Sequence, residues 1–216
     1  MKRPKICAVL VTGDPAAARR VAPAVDLYEL RLDLIGEGWE ELAGQIAKPW
    51  MATNRTTAEG GGWTGTEAAR IDRLVRASQR GAAIVDIELA TEGLAGVINM
   101  IKPKAKCLLS YHNLEGTPPL DELRDIVRRQ RQAGADISKV VTTARSLADS
   151  LTVLQLVSES GPGIVAFAMG TPGLLSRVLC PLAGGEFTYA SVAAGRESAP
   201  GQLTVSELSQ IYRTLS

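Results

Sequence analysis

Eight short apolar runs recur along this chain at intervals of about 20 to 35 residues, and helical patterns fill most of the gaps between them. That alternation constrains the fold more than any other feature. The runs cover residues 6–12, 27–32, 50–53, 83–88, 107–111, 137–141, 164–168 and 187–191. Most are near-continuous rather than alternating, the pattern of strands buried on both faces of a parallel sheet. Asp14 reads as an N-cap with Pro15 at the first helical position. Thr64-Gly65-Thr66-Glu67 and Thr204-Val205-Ser206-Glu207 read as capping boxes, Thr117-Pro118 as a cap followed by proline, and Ser146 as a further cap. Behind Ser146, Leu147, Leu151 and Leu154 share one helical face, and behind Thr204 come Leu208, Ile211 and Leu215. Gly81 and Gly134 stand where helices stop. Strand and helix repeated eight times over this length predict a (β/α)₈ TIM barrel, with residues 1–216 as one catalytic domain. The alternative is an open doubly wound sheet, but no phosphate-binding glycine fingerprint follows any strand.

A formal net charge of +1 provides no field for nucleic acid or an anionic membrane, so neither partner is expected. No apolar run approaches the roughly 20 residues of a membrane span. The N-terminus is basic over residues 1–5, but the run at 6–12 is too short for a secretory signal. Cys7, Cys107 and Cys180 are far apart and lack metal-ligand spacing, which fits reduced cysteines of a cytoplasmic protein. No metal or organic cofactor is expected.

In a barrel of this kind the chemistry sits at the C-terminal strand ends. The second strand ends Glu29-Leu30-Arg31-Leu32-Asp33, and period two puts its three charges on one face. The third ends at Arg55 and runs into Glu59-Gly60-Gly61-Gly62, where the glycines let the backbone pass close to a ligand. The fourth ends Asp86-Ile87-Glu88-Leu89, and the fifth ends Ser110-Tyr111-His112, carrying the only histidine. The sixth carries Lys139, the only lysine after Lys106, inside an apolar stretch. A buried lysine is costly unless it is paired or neutral, so its position argues for use. After the seventh come Met169-Gly170 and Ser176-Arg177, and after the eighth Ser198-Ala199-Pro200-Gly201-Gln202.

One rim would thus gather Arg31, Arg55, Arg177, several carboxylates, His112 and Lys139. The arginines suggest an anionic substrate, the lysine a carbonyl captured as a Schiff base, and the histidine proton transfer beside it. Elimination and aldol cleavage of a small hydroxylated keto acid both fit, and a non-catalytic binding barrel with the same pocket is a third reading.

In their order, these motifs resemble those of the type I 3-dehydroquinate dehydratase family, from the second strand to the last loop. The resemblance implies dehydration of 3-dehydroquinate to 3-dehydroshikimate in the shikimate pathway, toward chorismate and the aromatic amino acids. It implies that Lys139 forms the Schiff base, that His112 moves the protons and that Glu59 orients His112. It implies that Glu29, Arg31, Arg55, Arg177, Ser198 and Gln202 bind substrate, and it suggests a homodimer. A class I aldolase barrel is the runner-up, and the missing phosphate-site glycines count against it.

Overall fold

The computed structural model describes residues 3–215; the first two residues of the basic N-terminus lie outside them. Eight parallel strands form one sheet: β1 (Ile6–Leu10), β2 (Leu27–Arg31), β3 (Trp50–Thr53), β4 (Ile84–Glu88), β5 (Lys106–His112), β6 (Ile137–Thr143), β7 (Ile164–Met169) and β8 (Thr188–Ser191). Their order is β7-β6-β5-β4-β3-β2-β1-β8, so successive strands are neighbours and no switch point exists. This order excludes the doubly wound alternative and leaves a nearly closed (β/α)₈ barrel. At the seam, Glu186 spans from the β8 side to β7. Its N–H donates to the Ile164 carbonyl at 2.8 Å, and its Oε1 accepts from Gly163 N at 3.1 Å.

The longer helices outside the barrel are α4 (Glu67–Gln79), α6 (Leu120–Gln132), α7 (Leu147–Ser160) and α9 (Val205–Leu215), with α1 (Pro15–Val21), α2 (Leu32–Ile35), α3 (Trp39–Gly44), α5 (Leu94–Ile101) and α8 (Leu174–Leu179) completing the ring. Several starts match the expected caps. Asp14 accepts from Ala16 N, and Thr204 and Glu207 bond reciprocally. Three expectations are corrected. Thr66, not Thr64, caps α4, because its hydroxyl reaches Ala69 N. Thr117 caps nothing, since its hydroxyl is taken by Thr142 and the Thr143 carbonyl, and α6 starts behind Pro119. Leu147 and Leu151 face solvent; α7 packs through Val153, Leu156 and Val157.

The strand registers explain how the barrel becomes a site. Residues two apart on each strand point to the same face. The inward series run Leu27, Glu29, Arg31 on β2; Ile84, Asp86, Glu88 on β4; Leu108, Ser110, His112 on β5; and Ile137, Lys139, Val141 on β6, paired across neighbours as Asp86–Leu108, Ser110–Lys139 and His112–Val141. Each begins apolar at the N-terminal end of its strand. On β2, β4 and β5 polarity rises toward the other end, so the charges accumulate at the top.

Candidate active site

The top of the barrel opens into a cavity of about 350 Å³. Nine of the residues expected at the site line it: Glu29, Arg31, Arg55, Glu59, His112, Lys139, Arg177, Ser198 and Gln202. Asp33 does not. The chain leaves β2 at Leu32 to begin α2, and Asp33 instead takes both nitrogens of the Arg31 fork, at 2.9 and 2.6 Å, and the Gly62 N–H. It aims Arg31 without reaching the pocket.

Lys139 is 5% exposed at mid-barrel. Its Nζ donates to Asp86 Oδ2 at 2.8 Å, lies 4.0 Å from Glu29 Oε1 and sits 4.7 Å over the Tyr189 ring. The charged groups nearest this amine are carboxylates rather than the rim arginines. Burial pushes Asp86 up, but Arg55 and Lys139 outweigh it and hold the carboxyl well below its usual range.

His112 ends β5, with Nδ1 2.7 Å from Glu59 Oε2. Burial, with Arg55 and Lys139 close by, pushes the imidazole well below its usual value. Burial pushes Glu59 up to about 7 although Arg55 opposes it. Both shifts favour the uncharged forms of a pair held out of water. With Glu59 ionised, Nδ1 is the donor to it, and Nε2 remains free to take a proton.

Arg55 ties the site together. It reaches Ser110 Oγ at 2.7 Å, Glu88 at 3.0 Å, Asp86 at 2.6 Å and Glu59 at 4.0 Å. Of the glycines that follow, Gly60 lines the cavity, while Gly61 packs on this arginine: a Cβ there would lie 2.1 Å from the Arg55 carbonyl oxygen. Arg177 differs from the other pocket cations. It is 2% exposed, stacks 4.3 Å over Phe167 and donates only to the Pro200 carbonyl, with no carboxylate partner among the described residues. Burial lowers its guanidinium to about 10, so it stays cationic at neutral pH. It is a buried positive charge turned toward a cavity, the arrangement that awaits an anion.

The last loop folds over the same mouth. Pro200 O accepts from Gly170 N at 3.3 Å as well as from Arg177, and Gln202 Oε1 accepts from Ser198 N at 2.8 Å. Gly201, at φ +75, passes so near Gly170 that a Cβ would meet its carbonyl oxygen at 2.7 Å.

Several participants had no role assigned from sequence. Asp86 was one acid among many, yet it touches the lysine. Thr53, which donates to Glu29 at 2.7 Å, follows from strand parity. Tyr189 and Phe167 lie within apolar strand runs, pack edge to face and also line the cavity. Arg70, on α4, is buried.

A (β/α)₈ barrel with an amine, an imidazole–carboxylate pair and an uncompensated guanidinium at its strand ends defines the class, a barrel lyase. The comparisons give the family. The model of the type I 3-dehydroquinase family matches residues 6–216. A 3-dehydroquinate dehydratase of Dehalococcoides mccartyi is 47% identical over all of this chain and 98% of its own. A type I 3-dehydroquinate dehydratase of Clostridium difficile, solved with covalently modified comenic acid, superposes with a TM-score of 0.87 at 25% identity, covering 100% of this chain and 93% of that one. The Geobacillus kaustophilus enzyme gives 0.85 at 29% identity, covering 99% and 91%. This chain belongs to the type I 3-dehydroquinase family.

Proposed function

We propose that Lys139 and His112 carry out the family reaction, the dehydration of 3-dehydroquinate to 3-dehydroshikimate, with Lys139 forming the Schiff base and His112 moving the protons. The observation that carries this reading is the placement of one amine and one imidazole–carboxylate pair around a single cavity. The Lys139 amine attacks the substrate ketone and water leaves, giving the imine. The protonated imine withdraws electrons from the neighbouring C–H bond, so an ordinary imidazole suffices as base. His112 removes that proton, Glu59 stabilises the imidazolium, and the proton passes to the departing hydroxyl. Hydrolysis of the imine returns Lys139 and releases the conjugated enone.

Arg177 binds the substrate carboxylate, its missing counter-ion, while Ser198 and Gln202 hold the loop across it. Glu29, Arg31 and Arg55 face the substrate hydroxyls and keep the cluster's charges paired. The reading needs no metal or organic cofactor. Residues 1–216 are assigned to one catalytic domain, acting in the cytoplasm, where its three free cysteines stay reduced. A homodimer is proposed for the assembly, to be read by light scattering; no nucleic-acid or membrane partner is proposed. Among the described residues no helix is long and apolar enough to cross a membrane.

Borohydride added during turnover of 3-dehydroquinate is expected to fix ligand mass on the peptide containing Lys139. Lys139→Ala is expected to abolish both the adduct and the formation of conjugated product. An active Lys139→Ala variant would end this reading. His112→Ala is expected to form the adduct and then stall.

A further inference from the structure

One buried cation never reaches the pocket. Arg70 sits on α4, outside the barrel wall, and is 1% exposed. Its Nε and Nη2 each donate to Glu67 at 2.7 Å, Nη2 also to Thr91 Oγ1 at 3.0 Å, and Nη1 to Glu88 Oε2 at 2.5 Å and the Asn54 carbonyl at 3.3 Å. The other Glu88 oxygen forms an ion pair with Arg55 at 3.0 Å and accepts from Thr56 N at 3.2 Å. Arg55 continues to Asp86, and Asp86 to Lys139. Signs therefore alternate without a break from Glu67, which is 43% exposed on the helix surface, to the amine at mid-barrel.

We infer that Arg70 is a positioning residue for the dehydration: holding Glu88 from outside the wall, it leaves Arg55 free to orient the Asp86–Lys139 and Glu59–His112 pairs. The inference rests on the roles given above to Lys139 and His112. Arg55 is a single cation facing Asp86, Glu88 and, at 4.0 Å, Glu59. Arg70 neutralises Glu88 independently. Without it, Glu88 is a buried carboxylate served by Arg55 and one backbone N–H, and Arg55 is drawn toward it. The charged groups acting on the Glu59–His112 pair are Arg31, Arg55 and Lys139 on one side and Asp86 and Glu88 on the other. Losing Arg70 leaves Glu88 under-compensated among them, so the pair keeps its proton to higher pH. A lysine restores the charge but not the planar fork that reaches Glu67, Thr91 and Glu88 together.

The test measures kcat, KM and their pH profiles for Arg70→Met, Arg70→Lys and the double variant Arg70→Met/Glu88→Gln, with circular dichroism to confirm folding. Arg70→Met is expected to lose about ten-fold in kcat, the scale of one misplaced charge-assisted hydrogen bond, with the acid limb moved to higher pH. Arg70→Lys is expected to bring the limb back while kcat stays reduced. The double variant, which also removes the stranded carboxylate, is expected to return the limb toward its original position. If Arg70→Met does not fold, the lysine and double variants still decide between these outcomes. Folded variants that lose only thermal stability, with kcat and the acid limb unmoved, would overturn the inference. Wild-type protein that neither forms the borohydride adduct nor turns over would instead refute the reading on which it rests.

Discussion

Lys139 and His112 have neighbours of different kinds, and that difference fits the separate roles proposed for them. The lysine lies against Asp86 and Glu29, so the amine is held by carboxylates at mid-barrel. The histidine lies against a single carboxylate whose own ionisation falls near neutral pH. Protonation of Glu59 removes the anion that stabilises the imidazolium, so kcat/KM is expected to fall as the pH drops through about 7. Glu59→Gln is expected to lower kcat across the range and to erase that limb; an unchanged limb in a pH–rate profile would assign the titration elsewhere. Arg177→Ala is expected to raise KM roughly ten- to hundred-fold, because the interaction proposed for this residue is a charge-assisted bond to the substrate carboxylate. A substrate analogue lacking the carboxylate should bind the two forms alike by calorimetry.

Periodicity identified every strand and most of the helices, because strand burial and helix spacing are local properties of the chain. It failed on α7. Leu147, Leu151 and Leu154 form a regular apolar face, yet Leu147 and Leu151 are exposed, and the helix is held by Ser150, Val153, Leu156 and Val157. Both faces of this helix are apolar enough to be chosen, and only the adjoining strand selects one. Leu151→Gln is therefore expected to change stability by less than about 0.5 kcal/mol in urea denaturation, and Leu156→Ala to cost about 2–5 kcal/mol. The opposite ranking would mean that the packed face has been misassigned. The same competition displaced the α6 cap. Thr117 has the right chemistry for a cap, but its hydroxyl is engaged by β6.

Across the barrel, five strands share one buried charge network: Glu29 and Arg31 on β2, Arg55 just past β3, Asp86 and Glu88 on β4, Ser110 on β5 and Lys139 on β6. Asp86 is its centre, contacting Arg55, Ser110 and Lys139. Because its folded pKa lies below the unfolded value, its stabilising contribution is present above about pH 4 and is lost as the pH falls through the folded value. Asp86→Asn strands two buried cations and is expected to destabilise the protein at pH 7 by about 3–5 kcal/mol in urea denaturation, with activity lost as well. A variant as stable as the parent would show that the network is not needed to hold the strands together. The order of elements, the parallel sheet, the strand ends and the gathering of Lys139, His112 and Glu59 around one cavity were all legible in the chain, since each rests on local pattern or on the ordered set of motifs. The inward turn of Arg70, the carboxylate against Lys139, the escape of Asp33 into α2 and the lack of a carboxylate partner for Arg177 among the described residues were not. Those features depend on which charges meet across strands far apart in sequence, and a buried charge takes its meaning from the group that faces it.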